Sequence, residues 1–140
     1  MTIRVIIADD QPKVRFALRV LLESKQDVEI VGEVDEAREL VAQVKNASPS
    51  VLILDWLLPG LPEIGSIASL RNVCPDIFIV ALSGRPELGQ EALRDGADAF
   101  VSKIDPPDRL LAALGQYNNR QFSSGVPEEN ASYGECRQER

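Results

Sequence analysis

Five short apolar runs rich in β-branched residues punctuate the chain, at residues 3 to 8, 28 to 34, 51 to 54, 77 to 82 and 99 to 102. Between them, apolar residues recur three and four positions apart, which is the period of an amphipathic helix. The first interval carries Val14, Leu18, Leu21 and Leu22 behind Pro12, a residue that suits a first helical turn. The second opens at Asp35, read as an N-cap, carries Leu40, Val41 and Val44, and stops at Asn46-Ala47-Ser48-Pro49. The third, over 63 to 71, is diluted by Gly65 and small polar residues. The fourth spans Glu87 to Arg94 and ends at Asp95-Gly96, where glycine suits a left-handed cap. Pro107 opens the fifth, with Leu110, Leu111 and Leu114 facing inward. Strands alternating with helices predict an α/β fold, a doubly wound five-stranded parallel sheet flanked by five helices.

These elements occupy residues 1–116, one domain's worth of chain with no internal repeat. From Tyr117 to Arg140 the composition turns to Asn, Gln, Ser, Gly and Glu without an apolar period. Such a segment lacks the apolar surface that offsets the entropy of ordering, so 117–140 is expected to be a flexible polar tail or linker.

Charge and composition remove several classes of function. Of 140 residues, 22 are acidic and 15 basic, giving a net charge of -7 and no histidine. A binder of nucleic-acid backbone needs a clustered basic face, so direct nucleic-acid binding by this chain is not expected. Cys74 and Cys136 are too few and too far apart for a disulfide framework or a structural zinc site, and without imidazole any metal must be held by oxygen. The N-terminus enters a strand-like run without a signal-peptide pattern, and no apolar stretch reaches the roughly 20 residues that span a bilayer. A cytoplasmic protein without membrane contact is the expectation.

The chemistry gathers at the carboxyl ends of the strands, where ligands of open parallel sheets bind. Asp55 closes the run Val51-Leu52-Ile53-Leu54, and Asp9-Asp10 follow the first run. Ser83 follows the fourth run, and Lys103 ends the fifth, which contains Phe100. Taken singly, each has an ordinary use: an acidic pair at a helix entry, a turn serine ahead of Pro86, a solvated lysine, a core aromatic. Taken together, three carboxylates at one edge must take up a proton or a cation, because two such charges about 4 Å apart repel by about 4 kcal/mol at an effective dielectric near 20. Oxygen-only ligation with open positions favours Mg²⁺. A carboxylate beside such an ion can attack phosphorus and form an aspartyl-phosphate. A lysine and a hydroxyl then suit the incoming phosphoryl oxygens.

In order and approximate spacing, Asp9-Asp10, Asp55 with Pro59-Gly60, Ser83-Gly84, Phe100 and Lys103 resemble the response-regulator receiver domains of two-component signalling. The resemblance covers residues 3 to 116, and the first helix and Ser102-Lys103-Ile104-Asp105 are similar to receivers of the NarL/FixJ class. It implies a flavodoxin-like, chemotaxis-regulator-like sheet with strand order 2-1-3-4-5. It further implies that Asp55 is the phosphoacceptor and that Asp10 binds Mg²⁺ directly. Asp9 would act mainly through water, with the Leu57 backbone carbonyl as a further ligand. Lys103 and Ser83 would contact the phosphoryl group, and Phe100 would be the aromatic switch that follows Ser83. Leu57 and Arg85 occupy positions that influence phosphoryl lifetime in such domains. Leu58 replaces a frequent methionine, the stretch from Gly60 to Gly65 is longer than usual, and Ile104 stands where many members carry a cis-proline. A trans bond is expected there, since a non-proline cis bond costs roughly 2.5 to 4 kcal/mol.

The partners implied are a sensor histidine kinase or phosphotransfer protein upstream, and a downstream effector or a C-terminal output domain. Formation of a homodimer is left open by the sequence. Two other functions fit parts of the pattern. A phosphorylation-independent interaction module could keep the acids as structural residues. An aspartate-nucleophile phosphatase usually carries a second acid two residues after the nucleophile, where this chain has Leu57.

Overall fold

The computed structural model describes residues 2–123, apart from the side chains of Ser66 and of residues 121–123. Five strands, β1 (Ile3–Ala8), β2 (Val28–Val34), β3 (Val51–Asp55), β4 (Phe78–Ser83) and β5 (Ala99–Ser102), form one parallel sheet in the order β2-β1-β3-β4-β5. The connecting helices are α1 (Pro12–Glu23), α2 (Ala37–Ala47), α3 (Ser66–Val73), α4 (Gly89–Arg94) and α5 (Pro107–Ser123).

The alternation of side chains along each strand divides the core into two layers. Ile6, Leu52, Leu54 and Ile79 point to one face and meet Leu40, Val44, Ile67, Leu70 and Ala92 of α2, α3 and α4. Val5, Ile7, Ile53 and Val80 point to the other and meet Leu22 of α1 and Leu110, Ala113 and Leu114 of α5. Every residue of β3 is buried, as expected of a central strand covered on both faces.

Four expectations from the sequence change, one of them the start of the fourth helix, where a 3-10 turn at Pro86–Leu88 precedes α4. Helix α2 has Glu36, not Asp35, at its N-cap, and neither side chain caps it. Instead the Ala37 N–H donates to the Pro59 carbonyl at 2.8 Å, so a loop from the far side of β3 satisfies the helix end. The third crossover divides into a 3-10 turn at Pro62–Ile64 and α3, separated by Gly65 at φ +92°.

The largest change is at the C-terminal end, where α5 continues past residue 116 to Ser123. Tyr117 is buried and its ring meets Phe78 edge-on at 5.7 Å. Arg120 stacks over the same ring at 4.9 Å and donates to Asp98 at 2.8 Å. One aromatic and one arginine, a helical turn apart, supply the burial that the surrounding polar residues do not. The rest of the predicted tail, 124–140, lies outside the described residues.

Candidate functional site

β1 and β3 are neighbours, but the chain leaves them for opposite sides: β2 extends the sheet one way, β4 and β5 the other. The crevice at their carboxyl ends is the switch point at which open α/β sheets bind ligands. Asp9 follows β1 and is completely buried, Asp10 is exposed, and Asp55 ends β3 with its side chain nearly buried. One carboxylate oxygen from each lies within 4.8 Å of the other two.

Local hydrogen bonds fix these acids. Asp9 Oδ1 accepts from the Gln11 N–H at 2.9 Å, and Asp55 Oδ1 accepts from the Leu57 N–H at 3.1 Å. Each acid thereby closes a small turn, using one oxygen and leaving the other for the crevice. Lys103 Nζ stands between the two free oxygens, 2.7 Å from Asp9 Oδ2 and 3.5 Å from Asp55 Oδ2. Asp9 Oδ2 makes no hydrogen bond of good geometry, so the Lys103 ion pair, with the Gln11 N–H at Oδ1, compensates the buried charge. The lysine is held in place by its own backbone, which donates to the Ser83 carbonyl at 2.8 Å. A turn follows in which Ser102 N–H donates to Asp105 Oδ2 and Ile104 N–H to Ser102 Oγ. The Lys103–Ile104 bond is trans.

A cavity of about 440 Å³ opens over this cluster, lined by Asp10, Gln11, Asp55, Leu57, Ser83, Gly84, Arg85 and Lys103. Ser83 is buried, and its Oγ accepts from the Arg85 N–H at 3.0 Å. Burial is the largest influence on Asp55 and raises its pKa above the ordinary carboxylate value. The Leu57 N–H opposes this, the Asp9 charge adds to it, Lys103 opposes it, and Asp10 adds to it. An acid in this state is stabilised by any cation that enters the crevice. The donors are all oxygen and three acids each bring one within reach of a single ion, so the residues present fit a hard divalent cation.

Six of the seven residues singled out from the sequence therefore meet at one edge: Asp9, Asp10, Asp55, Leu57, Ser83 and Lys103. Phe100 does not line the cavity. It sits half-buried against Gly89 of α4. Gln11, Gly84 and Arg85 also line the cavity, and Gln11 had no signal beyond following the acidic pair. Trp56, the residue after Asp55, is buried and donates its indole N–H to Glu91 Oε2 on α4 at 3.3 Å.

The sequence and the fold are similar to those of known proteins. Residues 5–115 match the response regulator receiver domain family. The transcriptional regulatory protein BtsR of Escherichia coli is 35% identical over 132 residues, covering 90% of this chain and 54% of that protein. The transcriptional regulatory protein YxjL of Bacillus subtilis is 30% identical over 114 residues, covering 80% of this chain and 52% of that one. The chain thus spans about half the length of these curated relatives. Among solved structures, a two-component response regulator of the LuxR family from Aurantimonas sp. superposes with a TM-score of 0.75 at 25% identity, covering 83% of this chain and 84% of that chain. RcsB of Salmonella typhimurium superposes with a TM-score of 0.77 at 29% identity, covering 84% and 62%. With the sheet order, the acidic crevice and the sequence match in agreement, the chain belongs to the response regulator receiver domain family.

Proposed function

We propose that Asp55 accepts a phosphoryl group from a phosphohistidine on a sensor kinase or phosphotransfer protein, and that the resulting aspartyl-phosphate switches a protein-interaction surface. The observation that carries this is the meeting of Asp9, Asp10 and Asp55 within 4.8 Å, with Lys103 bridging Asp9 and Asp55. A free Asp55 oxygen attacks phosphorus, the phosphorus–nitrogen bond of the donor breaks, and the imidazole leaves with the electron pair. Asp10 and Asp55, with Asp9 through water and the Leu57 carbonyl, would hold a Mg²⁺ ion, whose contribution is to neutralise charge on the phosphoryl oxygens.

Each remaining residue has a task. Lys103 already sits 3.5 Å from the Asp55 carboxylate and turns from Asp9 toward the new phosphoryl oxygens. Ser83 donates its hydroxyl to one of them. The movement of Ser83 frees space for the Phe100 ring, and the surface of α4 and β5 changes with it. A coupling of about 1 to 3 kcal/mol alters partner affinity roughly 5 to 150-fold. The chemistry of the domain itself is confined to gaining and losing its own phosphoryl group.

The surface so altered would act on a separate effector or on an output domain in the same protein, as the greater length of the curated relatives suggests. Among the described residues no helix is long and apolar enough to cross a membrane. Borohydride reduction after treatment with acetyl phosphate and Mg²⁺ tests the acceptor, because it converts an aspartyl-phosphate to homoserine. The expected product has homoserine at position 55; homoserine at position 9 or 10 refutes the assignment.

A further inference from the structure

Arg15 lies outside the cavity, yet its guanidinium reaches the peptide group shared by the two acids of the β1–α1 turn. Its Nη1 donates to the Asp9 carbonyl at 2.6 Å, while its Nε donates to Glu33 Oε1 on β2 at 3.2 Å. Glu33 is held in turn by Arg19, one helical turn further along α1. The Arg15 side chain is largely shielded from solvent, so the fork is fixed at both ends.

The Asp9 carbonyl and the Asp10 N–H belong to one rigid peptide plane. Holding that carbonyl fixes the plane's rotation, and with it the direction in which the Asp10 side chain leaves the backbone. The opposite edge of the turn is fixed by the Gln11 N–H donating to Asp9 Oδ1. Asp10 itself is exposed, and no hydrogen bond or ion pair to its side chain was found among the described residues beyond its place in the acidic cluster. The orientation of its carboxylate must therefore come from its backbone.

We infer that Arg15 is a positioning residue for the acidic pair: clamped by Glu33, it orients the Asp9–Asp10 peptide so that the Asp10 carboxylate faces Asp55. The inference rests on the proposed role of these acids as cation ligands. Supporting groups of this kind typically govern metal affinity by about 10 to 100-fold.

Charge alone makes the opposite prediction, which gives the test its sign. Arg15 is a cation near a cation site, so removing it should tighten Mg²⁺ binding if it acted only through its field. A Mg²⁺ titration followed by amide chemical shifts gives the affinity and reports whether each variant is folded. Arg15→Ala is expected to weaken Mg²⁺ binding about tenfold at the lower end of that range, with the shifts of β3 to β5 unchanged. Arg15→Lys keeps the charge but not the planar fork, and a severalfold loss is expected. It also serves as the second variant should Arg15→Ala fail to fold. Mg²⁺ binding equal to or tighter than wild type in Arg15→Ala, or unchanged affinity in Arg15→Lys, overturns the inference and leaves the proposed function standing. Absence of Mg²⁺ binding by the wild-type protein overturns the proposed function, and the inference with it.

Discussion

The Phe100 ring fills the space that a side chain on Gly89 would need: a Cβ at residue 89 would stand 2.9 Å from Phe100 Cδ2 and 3.2 Å from Cε2. The aromatic proposed as the switch is thus seated against the first residue of α4, the helix whose surface is proposed to change. Gly89→Ala should displace the ring. Overpacking costs about 1 to 3 kcal/mol, and the helix preference of alanine returns up to about 1 kcal/mol, so a net loss of about 1 kcal/mol is expected. Gly115→Ala is the control, since nothing lies within 4 Å of a Cβ on that residue of α5. It should stabilise by up to about 1 kcal/mol. Urea denaturation of the two variants should shift in opposite directions.

Asp55 should be a liability to the metal-free fold. Its folded-state pKa is raised, so the neutral form is favoured by folding. The stability this group contributes is fully present below the ordinary carboxylate pKa of about 3.9, and is lost as pH rises through the higher folded value. Asp55→Asn, with no charge to lose, should be more stable than wild type at neutral pH in the presence of a chelator. The difference should vanish in acid. Denaturation midpoints across pH check both halves of the statement.

Asp10→Asn separates binding from folding. The side chain is exposed, so the metal-free stability should stay within about 0.5 kcal/mol of wild type. Added Mg²⁺ should raise the melting temperature of the wild-type protein and leave that of the variant nearly unchanged. Differential scanning fluorimetry with and without Mg²⁺ measures the contrast.

Asp98 should matter more to stability than any acid of the site. Its carboxylate accepts from the Ile79 N–H at 2.8 Å, from Arg71 at 2.9 Å and from Arg120 at 2.8 Å, joining β4, α3 and α5. Asp98→Ala strands the Ile79 N–H and takes the charged acceptor from the partly buried Arg71, which keeps the Ile77 and Gly96 carbonyls. A loss of about 2 to 3 kcal/mol follows from unsatisfied groups of this kind. Arg120→Ala, at a more exposed site, should cost about 1 kcal/mol or less. Chemical denaturation distinguishes the two.

The sheet was legible because its strands are short, mostly apolar and separated by helix-period segments. Burial of all of β3 and the two-layer core follow from the same alternation. Asp9, Asp10, Asp55, Ser83 and Lys103 were legible because strand ends in such sheets converge whatever the loops do. The contributions of Arg15, Glu33 and Trp56 were not, because each acts across elements distant in sequence, and a surface arginine or glutamate carries no mark of its partner. The end of α5 lies beyond residue 116 for a related reason. Tyr117 and Arg120 are single residues in a polar stretch, and their value lies in Phe78 and Asp98, which periodicity does not connect to them. The cap of α2 moved from Asp35 because its first N–H is satisfied by Pro59, from beyond the next strand.

The account turns on Asp55 capturing phosphorus in a cation-dependent way. Intact mass measured after incubation with acetyl phosphate or phosphoramidate, on wild type and Asp55→Asn, with and without Mg²⁺, tests it most directly. A gain of one phosphoryl group in wild type with Mg²⁺, and in no other sample, is the predicted result. An unchanged mass in wild type, or an equal gain in Asp55→Asn, would contradict it.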